Sequence, residues 1–261
     1  MYETISVERD PRGVATLTLA RAERHNALNA AMIGELTRAA AKLGGDPGVR
    51  VVVLTGAGRS FCAGGDLGWM KAQMAASGPD RAAEARTLAD MLQALNEMPK
   101  PLIGRVQGQA FGGGVGLACV CDVAVGVETA NFGLTEVRLG LIPATIGPYV
   151  VARMGEAAAR RVFFSGRIFG AAEAVDLGVL AKAVPAADLD AAVEAEVAPY
   201  LAAAPGAVAA GKRLVRALGP RIGDAVIEAS VQALVRQWEG PEAPEGVAAF
   251  FEKRKANWVA E

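Results

Sequence analysis

The chain has 261 residues, of which 52% are apolar and 21% are charged, a composition typical of a folded globular protein with a large core. Its 27 basic and 28 acidic residues leave a net charge of -1, which argues against nucleic-acid binding and against a polybasic membrane patch. No apolar run approaches the roughly 18 residues of a membrane-spanning helix, and residues 1–10 lack the apolar centre of a secretory signal.

The first predicted elements are two strands, a helix and a third strand. Residues 4–7 and 14–19 alternate in the manner of strands and are joined by a turn. Residues 29–43 predict a helix with one apolar face, capped by the asparagine with which it begins. Residues 51–54 form a continuous apolar run, as expected of a strand covered on both faces, and a glycine-rich loop follows over residues 56–68.

The same alternation continues through the middle of the chain. A proline and an aspartate open a long helix over residues 79–97, and residues 102–106 predict the next buried strand. A run of three glycines leads into a helix over residues 112–121, and residues 123–125 return as a strand. Alternating strands and helices imply parallel crossovers, so the sequence predicts an α/β core.

The last third of the chain differs in composition. Strand signals end near residue 185, and the remainder is alanine-rich and helical. We therefore predict an α/β body that carries the active site over residues 1–185 and a C-terminal helical region over residues 186–261. The three cysteines have no disulfide-framework spacing, which predicts buried structural thiols in a reduced, cytoplasmic interior.

Two glycine-rich loops, at residues 60–67 and 110–116, each follow a buried strand, where parallel sheets usually place ligand sites. Neither a dinucleotide-binding nor a Walker pattern fits, because Leu117 or Cys119 stands where the third glycine is required and no Gly-Lys-Ser/Thr follows. Two interpretations remain: tight helix–strand packing, or a pair of backbone N–H groups that stabilise a developing oxyanion.

The motifs around these loops resemble those of the enoyl-CoA hydratase/isomerase, or crotonase, family, in order and over essentially the whole chain. They are HNALN (25–29), FCAGGDL (61–67), PKPLI (99–103) through Gly108 to AFGGG (110–114), NFGLTE (131–136), LGLIP (139–143), and the tail at 245–255.

The resemblance implies a crotonase-type spiral of strand–strand–helix turns and a C-terminal helical region that builds homotrimers, often paired into homohexamers. It places the two oxyanion donors on the backbone N–H groups of Gly65 and Gly113. The implied substrate is an acyl-CoA thioester, with coenzyme A as part of the substrate and no metal or redox cofactor. The substrate-binding positions that it implies are Ala27, Ala63, Gly64, Asp66, Leu67 and Lys253.

The family pattern also bears on acid–base chemistry. Well-known hydratases of the family use two glutamates, and the second matches Glu136, whereas the first falls on Gly116. The predicted catalytic set is therefore Glu136, Gly65 and Gly113, with Gly116 as the position where a carboxylate is missing. Because water addition needs one proton to leave water and one to reach carbon, a single glutamate would have to do both.

Three functions stay open on this reading. Hydration of a 2-enoyl-CoA ranks first, because residues 135–146 resemble bacterial methylglutaconyl-CoA-type hydratases of branched-chain catabolism. A Δ3,Δ2-enoyl-CoA isomerase ranks second, because it needs only one base, and a non-catalytic acyl-CoA-binding homologue ranks third. A substrate with a second carboxylate would need a cation, and Arg138 is a candidate, although a surface role is its ordinary interpretation. His25, the only histidine, is expected to pack or to contact the nucleotide.

Overall fold

The computed structural model describes residues 2–260. The strands are β1 (Ile5–Arg9), β2 (Val14–Leu19), β3 (Val51–Gly56), β4 (Ser60–Cys62), β5 (Leu102–Val106), β6 (Gln109–Phe111), β7 (Val123–Val127), β8 (Asn131–Gly133), β9 (Ile168–Gly170) and β10 (Lys182–Val184). The helices are α1 (Ala30–Gly45), α2 (Leu67–Ala75), α3 (Gly78–Glu97), α4 (Gly113–Val120), α5 (Gly147–Met154), α6 (Glu156–Ala159), α7 (Ala171–Asp176), α8 (Leu189–Ala202), α9 (Pro205–Leu218), α10 (Asp224–Glu239) and α11 (Glu242–Glu252).

Six strands form the larger sheet, in the order β1-β2-β3-β5-β7-β10. β1 pairs antiparallel with β2, and every other pair in this sheet is parallel. All six residues of β3 are buried, because this central strand is covered on both faces. The continuous apolar run in the sequence at this point has the same cause.

A second sheet of four short strands has the order β4-β6-β8-β9. Each of these strands has three residues, and β4, β6 and β8 run parallel to one another. The chain therefore advances in repeated turns, in which a long strand enters the large sheet, a short strand enters the small sheet, and a helix follows. This arrangement confirms the predicted α/β spiral of strand–strand–helix turns.

The predicted helix starts and loops agree with the structure in part. The side chain of Asn29 caps α1 by accepting a hydrogen bond from the Met32 N–H at 2.9 Å, as expected. The helix predicted to open at residue 79 begins at Gly78 and is capped by Ser77. The glycine-rich segment 56–68 is not a loop throughout, because β4 lies within it. A three-residue strand is too short to leave an alternating pattern in the sequence.

After β10 the described residues are helical. α10 packs along α3, and a second apolar cluster joins Ala85 and Ala89 of α3 to Val231 and Trp238 of α10. The predicted division between residues 185 and 186 stays a prediction, since these helices share a core with the body. Within residues 2–260, no helix combines the length and apolar composition needed to cross a membrane.

Candidate active site

A cavity of about 490 Å³ opens where the two glycine loops meet the turn after β8 and the helices α10 and α11. Apolar side chains make up most of its wall. The polar side chains that line it are Thr135, Glu136, Arg138 and Thr145, together with the indoles of Trp69 and Trp238. Among the described residues, Glu136 and Arg138 are the two charged ones in this wall.

The first glycine loop is held by a short parallel bridge between Leu28 and Gly65. The Leu28 N–H donates to the Gly64 carbonyl at 2.7 Å, and the Leu28 carbonyl accepts from the Asp66 N–H at 2.9 Å. Because parallel pairing engages every second residue of a strand, the intervening Gly65 N–H turns away from this partner. Gly65 lines the cavity, and its N–H has no hydrogen-bond partner within residues 2–260.

The second glycine loop provides a second backbone donor, the N–H of Gly113. Gly112, at φ +48°, donates its N–H to the Gly133 carbonyl, and Gly113 begins α4. The N–H groups of a first helical turn have no intrahelical acceptor, and the helix dipole adds positive potential there. The two loops touch: a Cβ on Gly64, at φ +91°, would lie 2.9 Å from the Phe111 carbonyl oxygen and 3.6 Å from the Gly113 nitrogen. Only glycine at position 64 permits both the backbone conformation and this approach.

Glu136 lies beside these donors. It begins a 3-10 turn, Glu136–Leu139, and its Oε1 atom would lie 2.9 Å from a Cβ on Gly112, so the missing side chain at Gly112 makes room for the carboxylate. The residue is open to the cavity on one side, but its Oε2 atom is enclosed and has no hydrogen-bond partner among the described residues. Burial raises the pKa of Glu136 to about 7, and a hydrogen bond from its own backbone N–H opposes this only in part.

Gly116 does not line the cavity, and no empty space lies beside it. A Cβ at this position would lie 2.5 Å from Ile146 Cγ2 and 3.8 Å from Leu92 Cδ2. Ile146 is 2% exposed and forms part of the cavity wall. An apolar side chain therefore occupies the region next to the position at which the resemblance implies a first glutamate, and a glutamate at 116 would require Ile146 to move.

The predicted substrate-binding residues divide into two groups. Ala63, Gly64 and Leu67 line the cavity, whereas Ala27 and Asp66 do not. Asp66 caps α2 by accepting from the Gly68 N–H at 2.8 Å.

Two further residues stand apart from the cavity. Lys253 is exposed at the end of α11 and does not line it. His25 contacts Ser60 Oγ and Arg59, as expected of a packing residue, and also lies outside the wall.

Arg21 is a residue that the sequence reasoning missed. Its guanidinium donates to the Ala27 carbonyl at 2.6 Å and to the Asp66 carboxylate at 3.0 Å, so it ties the segment before α1 to the loop that carries Gly65. Both side chains of the ion pair are largely buried, at 16% and 19% exposure. Burial raises the pKa of Asp66, but the hydrogen bonds from Arg21 and from the start of α2 outweigh it and the pKa falls. Nothing local in the sequence marks Arg21, because its partners are brought to it by the fold.

The C-terminal helices also contribute to the wall, through Leu234, Trp238 and Phe250. Trp69 also lines the cavity and donates its indole N–H to Glu84 at 3.2 Å. Within residues 2–260, no group of three or more His, Cys, Asp or Glu side chains is placed to hold a metal ion.

Comparison with known proteins gives a consistent result. The family model described as "Enoyl-CoA hydratase/isomerase" matches residues 9–261. A Rhodobacter capsulatus protein named "Probable enoyl-CoA hydratase" is 37% identical over 270 residues, which cover 99% of this chain and 98% of that protein. The crystal structure of an enoyl-CoA hydratase from Mycobacterium avium superposes with a TM-score of 0.88 at 33% identity, covering 99% of this chain and 100% of that one. For an enoyl-CoA hydratase from Shewanella pealeana the TM-score is 0.81 at 36% identity, with 99% and 97% covered.

Proposed function

The chain belongs to the enoyl-CoA hydratase/isomerase family, and we propose that it is an enoyl-CoA hydratase in which one glutamate, Glu136, is both the general base and the general acid. The observation that carries this proposal is the largely buried Glu136 carboxylate, which lies against Gly112 and lines the same cavity as Gly65 and Gly113, whose backbone N–H groups have no partner among the described residues. A pKa of about 7 suits a group that must accept and return a proton near neutral pH.

In this mechanism the thioester carbonyl oxygen accepts hydrogen bonds from the N–H groups of Gly65 and Gly113. The ionised Glu136 takes a proton from water while the water oxygen bonds to C3 of the 2-enoyl group. The double-bond electrons move onto the carbonyl oxygen as an enolate, which the two donors stabilise by roughly 3 kcal/mol each. Glu136 then delivers the same proton to C2, so that one water is added and the carboxylate is restored.

The wall of the cavity supports the use of one carboxylate. Within residues 2–260, Glu136 is the only Asp, Glu, His, Lys, Cys or Tyr that lines it. Near Gly116, the position that matches the other family glutamate, the wall is formed by Ile146. The acid and the base of the reaction therefore fall to the same residue.

The same wall favours a second candidate, the Δ3,Δ2-enoyl-CoA isomerase. That reaction removes a proton from C2 of a 3-enoyl thioester and returns one to C4 through a dienolate, and it needs no bound water. The apolar side chain of Ile146 beside Gly116 suits such a site. Hydration remains the first candidate, because the similar proteins from Rhodobacter capsulatus and Mycobacterium avium are named as enoyl-CoA hydratases.

We also propose that the acyl group carries a second carboxylate, as in methylglutaconyl-type thioesters, and that Arg138 binds it. Arg138 is exposed to solvent and also lines the cavity, with its stem against Gly166, and no carboxylate lies within 4.0 Å of its guanidinium in residues 2–260. An unpaired cation in a mostly apolar wall favours an anionic ligand, and the planar guanidinium matches a carboxylate in two-point contact.

The remaining parts of the proposal follow from the family. Coenzyme A enters as part of the substrate, and no separate cofactor takes part. The exposed Lys253 at the end of α11 contacts the CoA phosphates, and the C-terminal helices assemble the protein as a homotrimer or homohexamer.

The reaction is tested by incubating the protein with crotonyl-CoA, with a 3-enoyl-CoA and with 3-methylglutaconyl-CoA while the absorbance of the conjugated thioester is followed. Loss of absorbance from a 2-enoyl substrate supports hydration, and a gain from the 3-enoyl substrate supports isomerisation. Silence with all three contradicts both and favours a non-catalytic acyl-CoA-binding protein. Glu136→Gln should lower turnover at least about 100-fold. Glu128→Gln, at an exposed turn after β7, is the matched control.

The role of Arg138 is tested with Arg138→Gln on two thioesters of equal length, one with a terminal carboxylate and one without. We expect kcat/KM to fall only for the first. A fall in kcat/KM for both thioesters would contradict this role. If that fall disappears when the same acyl groups are carried on a truncated thiol without phosphates, Arg138 contacts the CoA phosphates instead.

A further inference from the structure

A second cavity, of about 510 Å³, lies beneath α9 and shares no lining residue with the first. Its floor is formed by the end of α4, by α5 and by α8, and its roof is α9, a helix that has no buried residue of its own. Apolar side chains such as Val208 and Ile222 line it together with a group of charged side chains.

Three cations converge in this cavity around a single carboxylate. Lys212 and Arg216 project from consecutive turns of α9, and Arg153 comes from α5. Asp122 accepts from Lys212 Nζ at 2.7 Å through one oxygen and from Arg216 Nη2 at 3.1 Å through the other. Its backbone carbonyl accepts from Arg153 Nη1 at 3.2 Å.

The charges of this cluster do not balance. In the part of the chain that the structure describes, Asp122 is the only acid in the wall. Glu97 also acts on Arg216 electrostatically, but no ion pair forms between them within 4.0 Å. Burial lowers the pKa of both Lys212 and Arg216, the expected sign of cations held partly out of water.

One nitrogen of this cluster lacks a partner. Arg216 Nε is enclosed by protein and has no hydrogen-bond partner within residues 2–260. A buried charged donor without a partner is costly. Because the atom has no accessible surface, it adds to the cost of the uncompensated charge but is not itself a contact for a ligand in the cavity.

We propose that this second cavity is a binding site for a small oxyanion, a phosphate or a carboxylate, held between Arg153, Lys212 and Arg216. Guanidinium groups match the paired oxygens of both anions, and an ammonium group adds a third donor. The bound oxyanion offsets the surplus positive charge. It also bridges Lys212 and Arg216 of α9 to Arg153 of α5.

The test is isothermal titration of the intact protein with sodium phosphate and with sodium hexanoate, against sodium chloride at equal ionic strength. We expect saturable heat with at least one oxyanion and none with chloride. Phosphate alone indicates a phosphate ligand, and hexanoate alone indicates a carboxylate with an apolar body.

Variants locate the binding and keep the proposal open to refutation. Arg216→Gln and Arg153→Gln should each weaken binding by about tenfold or more, since each removes a charged donor. Arg213→Gln is the matched control, because Arg213 is an exposed arginine of the same helix that does not line the cavity. Arg138→Gln tests for binding in the first cavity, and we expect it to leave the measured affinity unchanged. The absence of saturable binding, or equal binding by Arg216→Gln and the wild type in folded protein, would overturn the proposal.

Discussion

Replacing Glu136 by glutamine should remove activity and stabilise the protein at the same time. Burial raises the pKa of Glu136 from its ordinary 4.5 to about 7, so the folded chain binds this proton more tightly than the unfolded chain does. The stability associated with the protonated form is fully present below pH 4.5 and is lost as the pH rises through 7. At about 1.4 kcal/mol for each tenfold difference in proton affinity, the loss is about 3 kcal/mol by pH 8. Glutamine keeps the shape of the side chain without this penalty.

The free energy of unfolding should be measured by urea denaturation of both proteins at pH 4, 6 and 8, at one protein concentration, because assembly also contributes to apparent stability. We expect Glu136→Gln to exceed the wild type by up to about 3 kcal/mol at pH 8. The difference should shrink at pH 6 and vanish at pH 4. Glu128→Gln, at an exposed site, should show no such trend. Equal stability at pH 8, or a gain that persists at pH 4, would refute the reasoning, since neither follows from the burial of a carboxylate.

Three other predictions concern the same site. In the hydration assay, log kcat/KM should rise with pH and level off above a pKa of about 7, as Glu136 becomes ionised; a flat profile from pH 5 to 9 would exclude it as the base. Gly116→Glu should lower the free energy of unfolding by about 1–3 kcal/mol, because its Cβ would lie 2.5 Å from Ile146, and a second substitution, Ile146→Ala, should restore part of the loss. Gly206→Ala, at a glycine with open space around it, is the control. Equal losses in Gly116→Glu and Gly206→Ala would contradict the clash with Ile146. Arg21→Met should lower kcat by about tenfold or more with little change in KM, because the loop that carries the Gly65 donor would shift. Added guanidinium ion should restore part of the lost kcat. An unchanged kcat would show that Arg21 does not position Gly65.

The elements with long apolar patterns were predictable from the sequence. The strands that became β2, β3 and β5, the cap at Asn29 and the helical C-terminal part follow from local composition and periodicity, and the structure has them at or near the predicted residues. The second sheet was not predictable, because its three-residue strands carry no periodic signal of their own and form only when neighbouring turns of the spiral bring them together.

The residues of the candidate site were likewise predictable from the sequence only in part. The two glycine loops and Glu136 were identified in the sequence by motif, and the structure brings Gly65, Gly113 and Glu136 to one cavity. Ile146 was not among the residues named for the site. Its contact with Gly116 joins α4 to the residue that precedes α5, and a sequence motif does not show which distant residues pack together.

The sequence by itself determined the family, through its motifs, and the α/β class, through its apolar periods, and it predicted Gly65 and Gly113 as the backbone donors. Only the tertiary structure decided which groups surround the Glu136 carboxylate, that an apolar side chain lies beside Gly116, and that Arg21 supports the Gly65 loop. The physical reason is that burial and hydrogen bonding between distant segments set the pKa of a carboxylate and the direction of an N–H group. Burial and these hydrogen bonds between distant segments are present only once the chain has folded.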